Sequence, residues 1–354
     1  MRFATRRLIG LSFGVIFVFG ACGGGGGSSP SAVAPCDANT KTCYVQTNGS
    51  NQNIGDQANP LQTISKAAAI ATTGYHIIVG SGIYHETVTT ATTGAAPDSL
   101  TFSAVGKVVI DATTPANAAN RAGFKLTNSP GTVIDGFEII NAADAGIVIK
   151  SNSHDFTVRN CSVHDNPGDG IRIQDSANVT VFNNLIYNNG TAAQPGGGII
   201  IAGVSAGSPD ATIVNNTVYG HFDRGLTIGT TSVASPGAFV HDNILQNNSN
   251  APGIDGNIKV YTSPRSDLNY DGNFNLVASP ATYRGVNKGA NDVSSLALFV
   301  DVASGNFHLQ TTSPAIDAGD PGLDPNFANP LHQRTTTGTV LDTGTIDIGF
   351  HYPQ

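Results

Sequence analysis

Two short segments of the chain carry polar side chains that could act on an anionic substrate. The first contains His221, Asp223 and Arg224, and the second contains Asp255 and Lys259. Arg and Lys bind carboxylates, and either can accept a proton once it has lost its own. Aspartates can hold Ca²⁺ or polarise a bound group. Only 12% of the residues are charged, so a group of charged residues this close together is noticeable. The group is either an active site or the solvated outer face of a sheet, where charges keep the protein soluble.

Repeated units are the elements that must position these residues. Five similar segments begin at Thr132, Thr157, Thr180, Thr212 and Phe239. Each contains a strand, an Asn-rich turn and a second strand, and a third short strand follows, usually led by Gly. These third strands are Gly146–Lys150, Gly170–Gln174, Gly198–Ala202, Gly225–Gly229 and Asn257–Tyr261. Three short strands per unit predict a solenoid whose turns stack about 4.8 Å apart.

Alternation along the Gly-led strands predicts which side chains face the core. The inward set is Ile147, Ile149, Ile171, Ile173, Ile199, Ile201, Leu226, Ile228, Ile258 and Val260. Asn184, Asn216 and Asn243 form a further column at the first bend of each unit. There Asn tolerates left-handed angles, and stacked amides can hydrogen-bond along the axis. Gly136 and Cys161 are expected to hold the same column in the earlier units.

The segments around the repeats extend the pattern. They are 44–49, 59–69 and 74–86 before the repeats, and 313–320 and 347–349 after them. Together with the repeats they resemble the right-handed parallel β-helix proteins of the pectate-lyase-like superfamily. The resemblance implies an all-β, single-stranded right-handed parallel β-helix solenoid. It also implies that Leu61–Thr73 is a short N-terminal capping helix, which would cover the open strand edges of the first coil.

The resemblance further implies where a site would lie. Enzymes of this superfamily cleave or epimerise acidic polysaccharides along the groove over the Gly-led sheet. There Arg224 or Lys259 would accept the C5 proton of a uronate, with Asp223 and His221 as the other catalytic candidates. The candidate substrate-binding residues are Arg172, Asp169, Lys150, Tyr261 and Asp255. No complete set of metal ligands is visible, so no cofactor is predicted, with Ca²⁺ left open.

The first residues predict export. Arg2, Arg6 and Arg7 precede the apolar run Leu8–Phe19, which has the length of a signal peptide. The residues before Cys22 resemble the lipobox of bacterial lipoproteins, which implies cleavage and lipidation at Cys22; ordinary secretion with a free thiol is the alternative. The predicted organisation is a lipoprotein signal peptide at 1–21, a Gly/Ser-rich tether at 22–35 and a β-helix domain at 36–354, with clear repeats at about 123–275 and a closing region at 276–354.

Export places the chain in an oxidising compartment, where Cys36 and Cys43 can form a disulfide; two free thiols are the alternative. Cys161 has no partner in the pattern and is expected to be a small buried residue. The predicted location is the bacterial cell envelope, at the outer membrane or cell surface, with the membrane contacted through the lipid alone.

The charge balance narrows the range of possible functions. Asp and Glu number 25 against 17 Lys and Arg, a net charge of -8, whereas a nucleic-acid-binding protein needs a basic footprint. Three functions remain. The first is a lipid-anchored protein that binds polysaccharide, acidic rather than neutral, along the Gly-led sheet. The second is a polysaccharide lyase or epimerase acting on uronate polymers, and the third is a non-catalytic structural or adhesive surface protein.

Overall fold

Two parallel sheets wind through the part of the chain that the computed structural model describes. The described residues are 36–90, 99–113, 121–250, 256–278 and 283–353. The chain divides into two units, Met1–Val33 and Ala34–Gln354, and the described residues all belong to the second. The signal peptide, the tether and the lipidation of Cys22 fall outside these residues and stay predictions. No helix among the described residues has the length and apolar character needed to cross a bilayer.

The first sheet has 15 strands and two limbs joined through β4. It starts with β1 (Thr42–Val45), β2 (His76–Tyr84) and β4 (Thr101–Asp111). Its first limb contains β6 (Val133–Asp135), β9 (Thr157–Arg159), β12 (Thr180–Phe182), β15 (Thr212–Val214), β18 (Phe239–His241) and β21 (Asp271–Asn273). Its second limb contains β7 (Glu138–Ile140), β10 (Ser162–His164), β13 (Leu185–Tyr187), β16 (Thr217–Tyr219), β19 (Ile244–Gln246) and β22 (Leu276–Val277).

The second sheet is built from the Gly-led strands. Its eight strands are β3 (Val88–Thr89), β5 (Ala122–Thr127), β8 (Ala145–Lys150), β11 (Asp169–Gln174), β14 (Ile199–Ala202), β17 (Leu226–Ile228), β20 (Ile258–Val260) and β23 (Tyr283–Arg284). Each strand pairs in parallel with the strand of the next turn. The described chain is therefore a parallel β-helix, as the repeats predict.

The remaining elements are short. Helix α1 (Ile64–Ile70) follows β1, with Thr63 as its N-cap and the Glu86 carboxylate accepting the amide hydrogens of Ile64 and Ser65 at 2.9 and 2.8 Å. A disulfide joins Cys36 to Cys43. The last elements are β24 (Phe299–Asp301), β25 (Asn306–Leu309), α2 (Pro325–Leu331), β26 (Arg334–Thr335) and β27 (Tyr352–Pro353).

The aliphatic columns of the core have the predicted register. Ile171 pairs with Ile199, Ile199 with Leu226, and Leu226 with Ile258 on successive turns. All ten residues predicted to face inward from the Gly-led strands are buried. Stacking like on like buries each side chain against the turns above and below, at roughly 25 cal/mol per Å² of apolar surface.

A ladder of asparagine amides runs beside this core. The backbone and side-chain amides of Asn184 donate to the Oδ1 of Asn216 at 2.9 and 3.0 Å, and Asn216 donates likewise to Asn243 at 3.0 and 2.9 Å. Asn243 continues the ladder to Asn275. Cys161 joins it through its backbone N–H, which donates to Asn184. The predicted amide stacking is therefore confirmed, and the ladder extends one turn further than predicted.

Two details of that prediction are wrong. The left-handed residue is the one before each ladder position, with φ of 52° at Asn183 and at Asn215. Gly136 pairs with this left-handed column and not with the ladder, because Asp135 aligns with Arg159 and shifts the first unit by one residue. Its φ of 86° is the reason that a glycine suits the position.

Two further ladders went unrecognised in the sequence. One joins the second bends of successive turns through the buried residues Asn166, Asn189, His221 and Asn248, and Asn248 donates to Asn257, which lies directly before β20 in the same turn. The other is made of hydroxyls that each accept the backbone N–H of the preceding turn: Ser153, Ser176, Ser208, Ser235 and Ser266, starting from the amide of Ser129. Successive turns are thus tied together at three corners, and the side chains that form the ladders are hydrogen-bonded there.

The C-terminal segment covers the outer face of the first sheet. Phe299, Phe307 and Ile348 pack on Leu185 and Ile244 of the second limb. On the first limb, Leu323, Leu331 and Ile346 pack with Phe182 and Val214. The left-handed column holds the last strand in place, since Asn183 exchanges hydrogen bonds with His351 and Asn215 donates to Asp347.

Asp242 breaks the asparagine pattern of the left-handed column, and this predicts a stabilising substitution. Burial raises the pKa of Asp242 to about 7, and its Oδ2 has no hydrogen-bond partner. Because the folded pKa lies above the unfolded value, the carboxyl's contribution to stability is lost as pH rises from about 4 through about 7. Asp242→Asn should therefore raise the free energy of unfolding by about 1–3 kcal/mol at pH 8 and change it little at pH 4.

Urea unfolding at several pH values measures this difference between variant and wild type. The control is Asp210→Asn, because Asp210 also has a left-handed φ of 57° but is exposed. A gain that is equal at pH 4 and pH 8, or equal in the control, would contradict the explanation.

Candidate functional site

The outer face of the second sheet carries one continuous column of side chains. Backbone pairing places these residues on successive turns, about 4.8 Å apart. In order along the axis they are Thr89, Lys125, Val148, Arg172, Ile200, Thr227, Lys259 and Arg284. Arg172 and Lys259 therefore lie three turns apart. Cations therefore lie in two groups, one on either side of Ile200 and Thr227.

Arg172 is held between two carboxylates. Its Nη1 lies 2.6 Å from Asp144 Oδ1, and its Nη2 lies 2.6 Å from Asp169 Oδ2. Nε also donates to Asp169, at 2.7 Å, and Nη2 to the Asp144 carbonyl, at 3.0 Å. The two carboxylates outweigh the effect of burial and raise the pKa of Arg172. The guanidinium is therefore charged and fully engaged with protein oxygens.

The same network continues on both sides of Arg172. Lys125 Nζ lies 3.2 Å from Asp144 Oδ2, and Asp169 Oδ1 accepts the backbone N–H of Gly197 at 2.8 Å. Burial raises the pKa of Asp169, and Arg172 and the Gly197 amide only partly offset it. Two cations and two carboxylates thus form a cluster whose formal charges cancel. Arg172 and Asp169, two of the predicted substrate-binding residues, contact each other, and their contacts brace neighbouring turns.

Asp223 and Arg224 lie in the loop that enters β17, one turn beyond Gly197. Arg224 Nη1 is 3.4 Å from Asp223 Oδ1, and the Arg224 side chain is 17% exposed. Its Nε is buried without a hydrogen-bond partner. The backbone carbonyl of Arg224 accepts the N–H of Gly198 on the preceding turn. The backbone of Arg224 therefore takes part in the hydrogen bonding between adjacent turns. Arg224 has fewer protein partners than Arg172.

Lys259 and Arg284 form the second group of cations. They are register partners on adjacent strands and point away from the core. Lys259 Nζ lies 5.0 Å from the centre of the Tyr261 ring, within the range of a cation–π contact. Arg284 is exposed. The repeat pattern did not reveal it, because β23 lacks a leading Gly; its signal is only its place one turn after Lys259.

Lys150 lies in the neighbouring outward column, where it pairs with Gln174 on one side and Thr127 on the other. It is half-exposed and makes no ion pair with another described residue. Asp255 falls outside the described residues, so its predicted role stays a prediction.

His221 does not face the groove, and its predicted catalytic role is corrected. The side chain is fully buried in the ladder at the second bend. Its Nδ1 accepts the N–H of Asn189 at 3.1 Å, and its Nε2 lies 3.2 Å from the Ile186 carbonyl. Burial lowers the pKa of His221 to about 4, so the ring is neutral at pH 7. It replaces an asparagine structurally and cannot reach a substrate.

One group of carboxylates has the spacing of metal ligands. Oxygens of Asp317, Asp342 and Asp347 lie within 4.8 Å of one another, in the C-terminal segment and not on the second sheet. Asp342 Oδ2 is already 2.7 Å from His351 Nε2 and accepts the Asp347 N–H, while Asp347 accepts the N–H of Asp317 and the Thr336 hydroxyl. The carboxylates of Asp342 and Asp347 therefore have protein donors without an ion.

The fold is that of the right-handed parallel β-helix proteins. A family model described as "Pel9A-like, right handed beta helix region" matches residues 43–206. The structure of pectate lyase Pel9A is similar with a TM-score of 0.50 and 17% identity, covering 88% of this chain and 96% of that one. The resemblance to the pectate-lyase-like β-helix proteins is confirmed. At this identity, the likeness to pectate lyase Pel9A shows the fold alone.

Other solved structures are less similar. XylC in complex with xylose gives a TM-score of 0.45 at 13% identity, with 68% of this chain and 66% of that chain covered. The periplasmic alginate epimerase AlgG gives 0.39 at 12% identity, with 72% and 65% covered. Neither supports a functional argument at this level of similarity. No curated protein sequence matches the chain.

If Arg172 is a brace, removing its charge should weaken the fold in a pH-dependent way. Arg172→Met leaves the carboxylates of Asp169 and Asp144, which are 12% and 17% exposed, without their shared cation. The free energy of unfolding should fall by about 2–4 kcal/mol at pH 7. The loss should shrink near pH 4, because the pKa of Asp169 is raised and its protonated form needs no cation.

Urea unfolding at the two pH values measures both effects. Arg265→Met is the matched control, since Arg265 pairs with Asp267 on the exposed surface, and little change is expected there. A loss that is independent of pH, or no larger than in the control, would show that Arg172 does not stabilise the stacked turns through its charge.

Proposed function

We propose that the protein binds an acidic polysaccharide along the outer face of the second sheet. The observation that carries the proposal is the pair Lys259 and Arg284, which stand on adjacent strands and face outward in one column. Guanidinium and ammonium groups at this spacing suit carboxylates that recur along a polymer. Tyr261 beside Lys259 offers an apolar surface to a sugar ring.

The accessibility of the face supports a polymer as the ligand. The C-terminal segment packs on the first sheet, whereas the column residues of the second sheet from Arg172 to Lys259 are half-exposed. Because each turn repeats the same strand direction and spacing, a linear chain can follow the column with successive contacts. Lys150 adds a cation in the next column, toward the other end of the sheet.

The neutral cluster around Arg172 has a supporting role in this proposal. It satisfies its own charges, so it neither attracts nor repels a polyanion strongly. It fixes the segments that carry Asp144, Asp169 and Gly197, and thereby the edge of the binding face.

At the N-terminal end, α1 serves as the cap of the coil, since Ile64, Ala67 and Ala68 are buried in the core.

Affinity measurements with defined polymers test the proposal. Isothermal titration with polygalacturonate and with alginate should give saturable binding that weakens as salt increases, and neutral dextran should not bind. The double variant Lys259→Ala/Arg284→Ala should bind at least tenfold more weakly, because two charge-assisted contacts are lost.

Lys107→Ala is the matched control, because Lys107 is a 74% exposed lysine on the first sheet. If the control lost as much affinity as the double variant, the effect would come from net charge and not from this site. Undiminished affinity in the double variant would remove the site from this face.

A lyase or epimerase is the second candidate, and Arg224 is the observation that favours it. Its mostly buried guanidinium, with an unpartnered Nε beside Asp223, is the kind of group that a substrate could complete. Incubating the same polymers with the protein and Ca²⁺ separates the functions, because a lyase forms an unsaturated product that absorbs ultraviolet light and an epimerase changes the configuration at C5, which NMR detects. If wild type forms an unsaturated product and Arg224→Ala does not, the function is elimination and not binding alone. A binding protein is expected to form no such product.

A further inference from the structure

A hollow of about 440 Å³ lies on the outer face of the first sheet, between the coil and the C-terminal segment. Its floor comes from the first limb, where Asp135, Arg159 and Phe182 are register partners on successive turns. Its opposite wall comes from α2 and β26 and includes Phe327 and Arg334. The two walls meet only because the C-terminal segment folds back over the coil.

The charge in this hollow is positive. Arg159 donates to Asp135 through Nε and Nη2, both 2.9 Å from Oδ2, and Asn160 donates to the other carboxylate oxygen at 2.7 Å. Both carboxylate oxygens of Asp135 are therefore already hydrogen-bonded to Arg159 or Asn160. Arg334 has no carboxylate within ion-pairing distance among the described residues, and its Nη1 donates only to the His351 carbonyl, at 3.3 Å. Two guanidiniums against one carboxylate leave one unbalanced positive charge.

Both arginines line the same hollow, so a ligand held there lies between the two guanidinium groups. Burial lowers the pKa of Arg334, and the positive charge of Arg159 lowers it further, while Asp135 acts in the opposite direction. Like charges held near each other in a half-buried site are relieved when an anion binds between them. Guanidinium groups are suited to carboxylates through paired, parallel hydrogen bonds.

The rest of the lining is suited to a polyhydroxylated molecule. The hydroxyls of Thr157 and Thr180 are neighbours in one outward column, and the Asn326 amide faces them across the hollow. None of these three side chains makes a hydrogen bond to another described residue. The rings of Phe182 and Phe327, with centres 5.1 Å apart, supply an apolar wall against which a sugar ring can pack.

We propose that this hollow binds a single carboxylate-bearing sugar, with the carboxylate at Arg334 and Arg159 and the hydroxyls at Thr157, Thr180 and Asn326. Its volume falls within the roughly 300–1,000 Å³ of small-molecule sites. The site differs from the proposed polysaccharide face in sheet, residues and size of ligand. A protein with both sites would hold a polymer on one face and sense or retain a free sugar acid on the other.

The neighbouring hollow restricts how the sugar acid lies. It has a volume of about 620 Å³, shares Phe327, and is lined by Asp271, Asp320, Asp324 and His241. A ligand carboxylate is repelled by those acids and attracted to Arg334 on the other side of Phe327. The two hollows therefore select one orientation for an acidic sugar.

Titration with D-galacturonic acid, followed by calorimetry or saturation-transfer NMR, tests the proposal on the folded protein. Wild type should bind saturably, and D-galactose, which lacks the carboxylate, should bind at least tenfold more weakly. Arg334→Gln should weaken galacturonate binding at least tenfold, and Thr180→Val about threefold. Arg265→Gln, which alters an exposed arginine outside the hollow, should bind as wild type does.

Four results would overturn the proposal: no saturable binding of galacturonate, equal binding of galactose, equal binding by Arg334→Gln, or inorganic phosphate displacing the sugar acid at equal concentration. The last result would make the site one for small anions in general. If Arg334→Gln fails to fold, Thr180→Val and the comparison of galacturonate with galactose and phosphate decide the matter, because neither disturbs the contact of Arg334 with His351. The outcome is independent of Lys259 and Arg284, so it stands apart from the test of polysaccharide binding.

Discussion

Hydrogen bonds between stacked asparagine side chains set the geometry on which the rest of the protein depends. Along this ladder the side-chain oxygens of Asn216, Asn243 and Asn275 each accept from both the backbone and the side chain of the turn before, and that of Asn184 accepts the backbone N–H of Cys161. These amides are buried, so a lost partner would leave an unsatisfied polar group at a cost of about 1–3 kcal/mol. A slip of one residue between turns would break the ladder and turn the aliphatic columns outward at the same time.

The fixed register between turns determines which side chains each outer face presents. Left-handed residues such as Asn183 and Asn215 come directly before the ladder positions and direct their amides to the backbone of the C-terminal segment. That segment covers the first sheet and encloses hollows over it, while the second sheet stays accessible. On the accessible sheet the same register sets Lys259 and Arg284 one turn apart. Both proposed sites therefore follow from how the turns are stacked.

The inward columns and the first asparagine ladder could be predicted from the sequence, because a repeated position with one residue type reports directly on stacking. His221 could not be placed in the same way, since it is the one histidine in a ladder of asparagines and looks like a catalytic group when considered alone. Gly136 was assigned one position too far, because its unit lacks the paired asparagines that mark the bend. The hollow that Arg159 and Arg334 both line depends on how a distant segment docks, and no local pattern encodes that arrangement.

Hydrogen exchange of side-chain amides gives the most direct test of the ladder. In a protein with assigned asparagine resonances, the Nδ2 protons of Asn216 and Asn243 should exchange only at the rate of global unfolding, because both groups are buried and bonded to the next turn. The exposed Asn39 should exchange as fast as a free amide. Exchange of Asn216 as rapid as that of Asn39, in a protein that is otherwise folded, would contradict an account in which the ladder fixes the register of the coil.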